Sequence, residues 1–220
     1  MTDDRKSGIA LIAGSFGGLL TVAIHPRASG SLTAGQVAHL AVASAAAHSL
    51  AIVSFVILFL GACGLVRRIA AADRIAFAAI VIYGFACVAI LIAAAVSGFI
   101  VPDIMLRMVR DVPAAAQQWK IVISGIFQIN QAFARIYAVG AFLAIFLWSI
   151  SALRNGGLGR GVAIYGCLIA PLIILGIVSG HLRLDVHGMG IVALAHAIWF
   201  VIIGVELCSR GASARASGGG

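Results

Sequence analysis

Six histidines, His25, His39, His48, His181, His187 and His196, are the residues of this chain best equipped for chemistry. Imidazole ligates transition metals and haem iron, and it exchanges protons near neutral pH. The spacing repeats: His39 to His48 is nine residues, and so is His187 to His196. Nine residues turn a helix through about 900°, so each pair points to opposite sides of its helix. The six therefore divide into a deep pair, His48 and His196, and a shallow rim of His25, His39, His181 and His187. The deep pair lies about 13 Å below the outer ends of its helices at 1.5 Å rise per residue. Two imidazoles at matched depth on different helices suit bis-histidine ligation of b-type haem, or a deep metal site. The other reading is a pair of interior histidines, each satisfied by a serine or a carbonyl. The rim, with Asp185 in the run His181-Leu-Arg-Leu-Asp-Val-His187, offers the histidine and carboxylate ligands of zinc or copper. Its spacing matches no HExxH signature, and Asp103 and Asp185 also read as helix caps.

A second polar constellation falls in an apolar stretch. Ser124, Gln128, Gln131 and Arg135 recur at i, i+4, i+7 and i+11, with Asn130 beside them. Such a stripe is expected to face a bundle interior or a wet cavity, as a substrate or proton path. Glu206 is the only carboxylate within an expected span, so Arg135 and Glu206 are expected to approach each other.

These residues need a scaffold that spans a bilayer. The chain has 220 residues, of which 62% are hydrophobic and 10% charged, against about 25% charged in soluble domains. Apolar stretches long enough to cross a membrane place helices near 8–25, 38–66, 75–101, 121–150, 161–180 and 187–208. The expectation is an all-α integral membrane protein, a six-transmembrane-helix bundle forming one domain over 1–208, with a disordered tail over 209–220. The first segment follows a charged start. That start holds two acids, and no small-x-small cleavage site follows, so the segment is kept as the first helix. Gly14 and Gly18 form a small-xxx-small pair within it.

Charge distribution sets the expected orientation. Arg5, Lys6, Arg67, Arg68, Arg74, Arg154, Arg160, Arg210 and Arg215 fall in one set of alternating loops; the other set holds Arg27, Arg107, Arg110, Lys120 and Arg183. The richer side is cytoplasmic by the positive-inside rule, with both termini inside a bacterial-type inner membrane. The net charge of +8 then reports topology and anionic headgroups rather than nucleic acid.

An internal repeat is expected. Ile82-Tyr83-Gly84 and Val96-Ser97-Gly98 through Asp103 recur 82 residues later as Ile164-Tyr165-Gly166 and Val178-Ser179-Gly180 through Asp185. In that frame Asn130 stands opposite His48, which suggests three helical hairpins whose inward arms carry His48, Asn130 and His196. Repeats often meet at a binding site near the bilayer middle, although duplication alone implies no ligand. Between the third and fourth helices, Val101, Ile104, Met105, Met108, Val109 and Val112 alternate with Asp103, Arg107, Arg110 and Asp111. This pattern suggests a short amphipathic interfacial helix capped by Asp103 and followed by the anchors Trp119 and Lys120.

Cys63, Cys87, Cys167 and Cys208 lie within helices or near their inner ends and read as packing residues. There is no nucleophile elbow, Walker motif or dinucleotide fingerprint, and no catalytic residue is assigned. Three readings follow. The first is a haem b or Cu/Zn protein for electron transfer or a redox step, working with a redox partner or larger membrane complex. The second is a small-molecule transporter or ligand-binding protein using the polar stripe. The third is an accessory subunit without chemistry of its own.

Overall fold

The computed structural model describes residues 3–26, 33–69, 73–111 and 113–216, without the side chains of 113–116 and 210–216. Arg27 and Val112, the side chains of Arg210 and Arg215, and the segment beyond Ala216 lie outside that description. The elements are α1 (Asp3–Ala23), α2 (Ala34–Ile69), α3 (Arg74–Ala95), a π-helical turn (Val96–Ile100), α4 (Val101–Arg110), α5 (Pro113–Asn155), α6 (Arg160–Val178) and α7 (Val186–Ala216). Among the described residues the protein is all-helical, and six of its helical stretches are long and apolar enough to cross a membrane. Large apolar side chains such as Phe16, Phe77, Phe85 and Leu168 are more than half exposed around the bundle. Only a hydrocarbon surround makes such a surface favourable. The helices overrun their expected ends: α5 has 43 residues, and α7 continues past Cys208 to Ala216.

Close approach of backbones organises the packing. α1 lies along both α2 and α7, α3 along α5, and α5 along α6. A Cβ on Gly8 would stand 2.5 Å from Gly204 O of α7, far inside the normal 3.5–4.0 Å contact, so α1 and α7 meet where neither carries a side chain. Gly14 and Gly61 do the same between α1 and α2, against Leu58 and Leu11. Gly18, the expected partner of Gly14, meets nothing within 4 Å. Hairpins form between α1 and α2 and between α3 and α5, whereas α6 and α7 are loose neighbours, each packed mainly on another helix.

The core lies toward the α7 side. Tyr83, Phe142, Trp148, Trp199 and Phe200 are fully buried there, with the Trp148 and Trp199 rings stacked 5.8 Å apart. At the end of the bundle nearest Arg68 and Arg154, polar contacts tie helix termini together. Asp73 caps α3 by accepting from Ile75 N at 2.9 Å, and it also accepts from Ser151 Oγ and Asn155 Nδ2 of α5. The Ser151 hydroxyl, foremost, holds the Asp73 carboxyl below its ordinary range, helped by the Ile75 N–H. Arg68 pairs with Asp4 at 2.7 Å.

The two copies of Val-Ser-Gly fold differently. Val96-Ser97-Gly98 forms the π turn that carries α3 into α4 without a break. Val178-Ser179-Gly180 ends α6, with Gly180 at φ +77°. Asp103 is therefore not a cap. It sits inside a helix that has already begun and pairs with Arg107 at 3.0 Å, while Asp185 does cap α7, accepting from His187 N and Gly188 N. Trp119 Nε1 donates to Asp111 Oδ2 at 2.8 Å, fixing the entry to α5.

Candidate functional site

The site begins with a missing donor. In the π turn, Val101 N donates to Val96 O, so the next N–H in that register would serve Ser97 O. Residue 102 is proline and has no N–H. Ser97 O is satisfied instead from α2, by Ser44 Oγ at 3.1 Å. One turn along, Gly98 lets α2 come close, since a Cβ there would lie 2.5 Å from His48 Cβ. His48 is thereby held against the π turn, and its Nδ1 donates to Ser44 O at 2.8 Å with Ser44 Oγ at 3.3 Å. A ring whose Nδ1 carries the proton presents its lone pair on Nε2. π turns recur at functional sites; this one seats a histidine.

His48 forms part of the wall of a cavity of about 430 Å³ inside the bundle. α1 supplies Ser15, Gly18 and Thr21; α2, Ser44 and His48; α5, Asn130, Gln131 and Tyr137; and α7, His196. Most of the remaining lining is apolar. His25, just beyond α1, closes toward His48 with ring centroids 5.1 Å apart, and its Nδ1 donates to Pro26 O at 3.0 Å. His196 is buried in an aromatic cage, 4.7 Å from the Phe200 centroid, 5.9 Å from Tyr83, 6.0 Å from Tyr137 and 6.3 Å from Phe142. Its Nε2 is in hydrogen-bond contact with the Tyr83 hydroxyl at 3.3 Å.

Two atoms on lining residues, Ser15 Oγ and Asn130 Oδ1, are shut from solvent and have no hydrogen-bond partner among the described residues. A buried polar group left unmade costs about 1–3 kcal/mol. Gln131 Nε2, beside them, donates to Leu184 O at 3.2 Å.

The expected site residues thus fall into separate groups. His25, His48, Asn130, Gln131, Asp185 and His196 line one cavity. His39 and His187 are exposed, nine residues from buried His48 and His196, and so point away from it. His181 is exposed and contacts Ser179 Oγ at 2.9 Å. The expected four-histidine rim is therefore not assembled: among the described residues, no three His, Cys, Asp or Glu side chains gather as a metal ion requires. The cap formed with Gly188 N, then His187 N, also holds the Asp185 carboxyl below its ordinary range.

The polar stripe of α5 divides in the same way. Ser124, Gln128 and Arg135 are exposed, and only Gln131 turns inward. The cause is packing: no residue of 117–133 is buried, so this half of α5 stands at the edge of the bundle. Arg135 does not meet Glu206. Glu206 Oε2 accepts from Gly159 N at 2.9 Å, fastening α7 to the start of α6, and the ion pairs among the described residues involve other side chains.

Sequence reasoning missed Ser15, Tyr137 and Phe55 on the cavity wall. The signal within reach was Gly98 and Pro102, four residues apart, marking a break in the backbone bonding where α3 meets its neighbour. Fold and site together describe a polytopic membrane protein with a lined internal cavity. No protein family, no curated protein and no solved structure matches the chain.

Proposed function

We propose that this protein binds a small, largely apolar molecule within the membrane, in the cavity bounded by α1, α2, α5 and α7. The observation that carries this reading is an intramembrane cavity of 430 Å³ on whose wall His48, Asn130 and His196 meet from three helices. That volume lies in the range of about 300–1,000 Å³ typical of small-molecule sites, which are mostly apolar with a few placed polar groups. The lone pair of His48 Nε2 would accept a hydrogen bond from the ligand, and Ser15 and Asn130 would regain the partners they lack. The basic end, with Arg67, Arg68, Arg154 and Arg160, supports placing that end in the cytoplasm of a bacterial-type cell and the His25 end outward.

The test uses 1-aminoanthracene, an apolar fluorophore with one amine donor, read by energy transfer from Trp148 and Trp199 in a Trp119→Phe background. Gly18 lines the cavity and meets nothing within 4 Å, so Gly18→Phe fills the space without a clash at Cβ. Saturable transfer weakened at least tenfold by Gly18→Phe supports the reading. No saturable transfer, or equal binding by the filled variant, overturns it.

A second reading, haem b or a Cu/Zn ion serving a redox step, has one observation in its favour. His48 and His196 line the same cavity, and Nε2 of His48 is left for a ligand. It ranks behind because His196 Nε2 is taken by the Tyr83 hydroxyl, which would have to move before the ring could serve as an axial ligand. A Soret band lost in His48→Ala, or stoichiometric copper or zinc by elemental analysis, would reverse the order.

A further inference from the structure

One residue of the cavity wall also belongs to the outside of the bundle. Phe55 of α2 lines the internal cavity, and it lines a second hollow of about 490 Å³ between α2 and α3. That hollow opens between exposed side chains: Leu60, Val81, Phe85 and Val88 are 63%, 43%, 72% and 54% exposed. Every residue around it is apolar, apart from the thiol of Cys87 and the bare backbone of Gly84. In a bilayer this is a groove filled from the hydrocarbon core. On α3 the wall is one residue thick, because Ile90 faces the cavity and Leu91 the groove.

We propose that the ligand is a molecule dissolved in the bilayer, and that it enters sideways through the seam between α2 and α3, with Phe55 as the gate. This rests on the binding reading above and narrows it from any small solute to a lipid-soluble one. The Phe55 ring is half-buried and rests edge-on against Tyr137, with centroids 5.2 Å apart. Tyr137 in turn packs against His196 at 6.0 Å. A swing of Phe55 about its χ1 joins groove to cavity without moving a helix. Gly84 keeps the outer side of the seam open: a Cβ there would come within 3.4 Å of the Phe59 ring, and a longer side chain would project into the groove. An apolar molecule concentrated in the hydrocarbon then meets an apolar path throughout, ending at the polar groups of His48, Asn130 and Ser15.

The competing entrance is the end of the bundle, where Pro26, Asp185 and Val186 bound the cavity. The two routes separate by kinetics of 1-aminoanthracene in lipid nanodiscs, again read by transfer from Trp148 and Trp199. Phe55→Ala is expected to speed association and dissociation together by fivefold or more, with the dissociation constant changed less than threefold. Gly84→Leu, which narrows the groove, is expected to slow association at least fivefold, and Val186→Trp at the bundle end to leave it within twofold. Wild-type rates in both Phe55→Ala and Gly84→Leu, with slowing in Val186→Trp, overturn the lateral route and leave the binding reading intact. No saturable transfer in the wild type overturns both. Should Gly84→Leu not fold, Phe55→Ala decides alone: unchanged rates refute the gate.

Discussion

Gly98→Ala is the sharpest test of how the site is built. The added methyl would lie 2.5 Å from His48 Cβ and 3.0 Å from Cγ. Carbon atoms settle at about 3.5–4.0 Å, so α2 and the π turn must separate by about 1 Å. Overpacking of this kind costs about 1–3 kcal/mol. Moving His48 also lengthens its 2.8 Å bond to Ser44 O, a further loss of about 0.5–1.5 kcal/mol. Alanine returns about 1 kcal/mol through its helix propensity. The net expectation is destabilisation by about 1–3 kcal/mol, measured by reversible SDS unfolding in mixed lipid–detergent micelles. Gly125→Ala is the control, because Gly125 meets nothing within 4 Å, and it should match or slightly exceed the wild type. A Gly98→Ala protein within about 0.5 kcal/mol of wild type, with unchanged 1-aminoanthracene affinity, would refute the claim that a bare backbone at position 98 seats His48.

Two further outcomes follow from contacts away from the cavity. Asp73 is held below its ordinary range chiefly by Ser151, so its contribution to stability is full above about pH 5 and is lost as the pH falls below about 4. Unfolding midpoints measured across that interval should fall less steeply for Asp73→Asn than for wild type, and parallel slopes would contradict the assignment. Gly204→Leu would drive a side chain into Ile12 and Gly8 O; it should free α1 from α7 and raise protease sensitivity at the amino terminus, whereas unchanged cleavage would show that the contact is dispensable.

Much of this architecture is legible from the chain alone, and the reason is physical. Helix existence follows from apolar length, a local property, so six spans can be counted before any packing is known. The depth of a residue follows nearly as well, because rise per residue is fixed, and His48, Asn130 and His196 do occupy one cavity. Rotation and neighbour choice are another matter. Arg135 and Glu206 have compatible depths, yet Glu206 is bonded to Gly159 N and Arg135 faces outward. Nothing local says that α7 packs on α1 or that the first half of α5 stands at the bundle edge. The rim of histidines fails for the same reason: matching depth does not bring His39 and His187 round to the inner face. Identical Val-Ser-Gly strings diverge because Pro102 follows one copy and a tight turn at Gly180 follows the other.

The π turn also changes what kind of mutation the site can absorb. A turn with one residue more than the α-helix needs sets α4 about 100° out of phase with α3. Val101 and Ile104 are buried and Met105 lines the cavity in that shifted phase. The length of the segment is therefore a constraint separate from its composition. Phe99 and Ile100, 44% and 47% exposed, tolerate exchange for other apolar residues. Loss of either one as a residue would rewind the helix and rotate all of α4, carrying its buried face out of the bundle. At this place the protein counts residues more strictly than it chooses them.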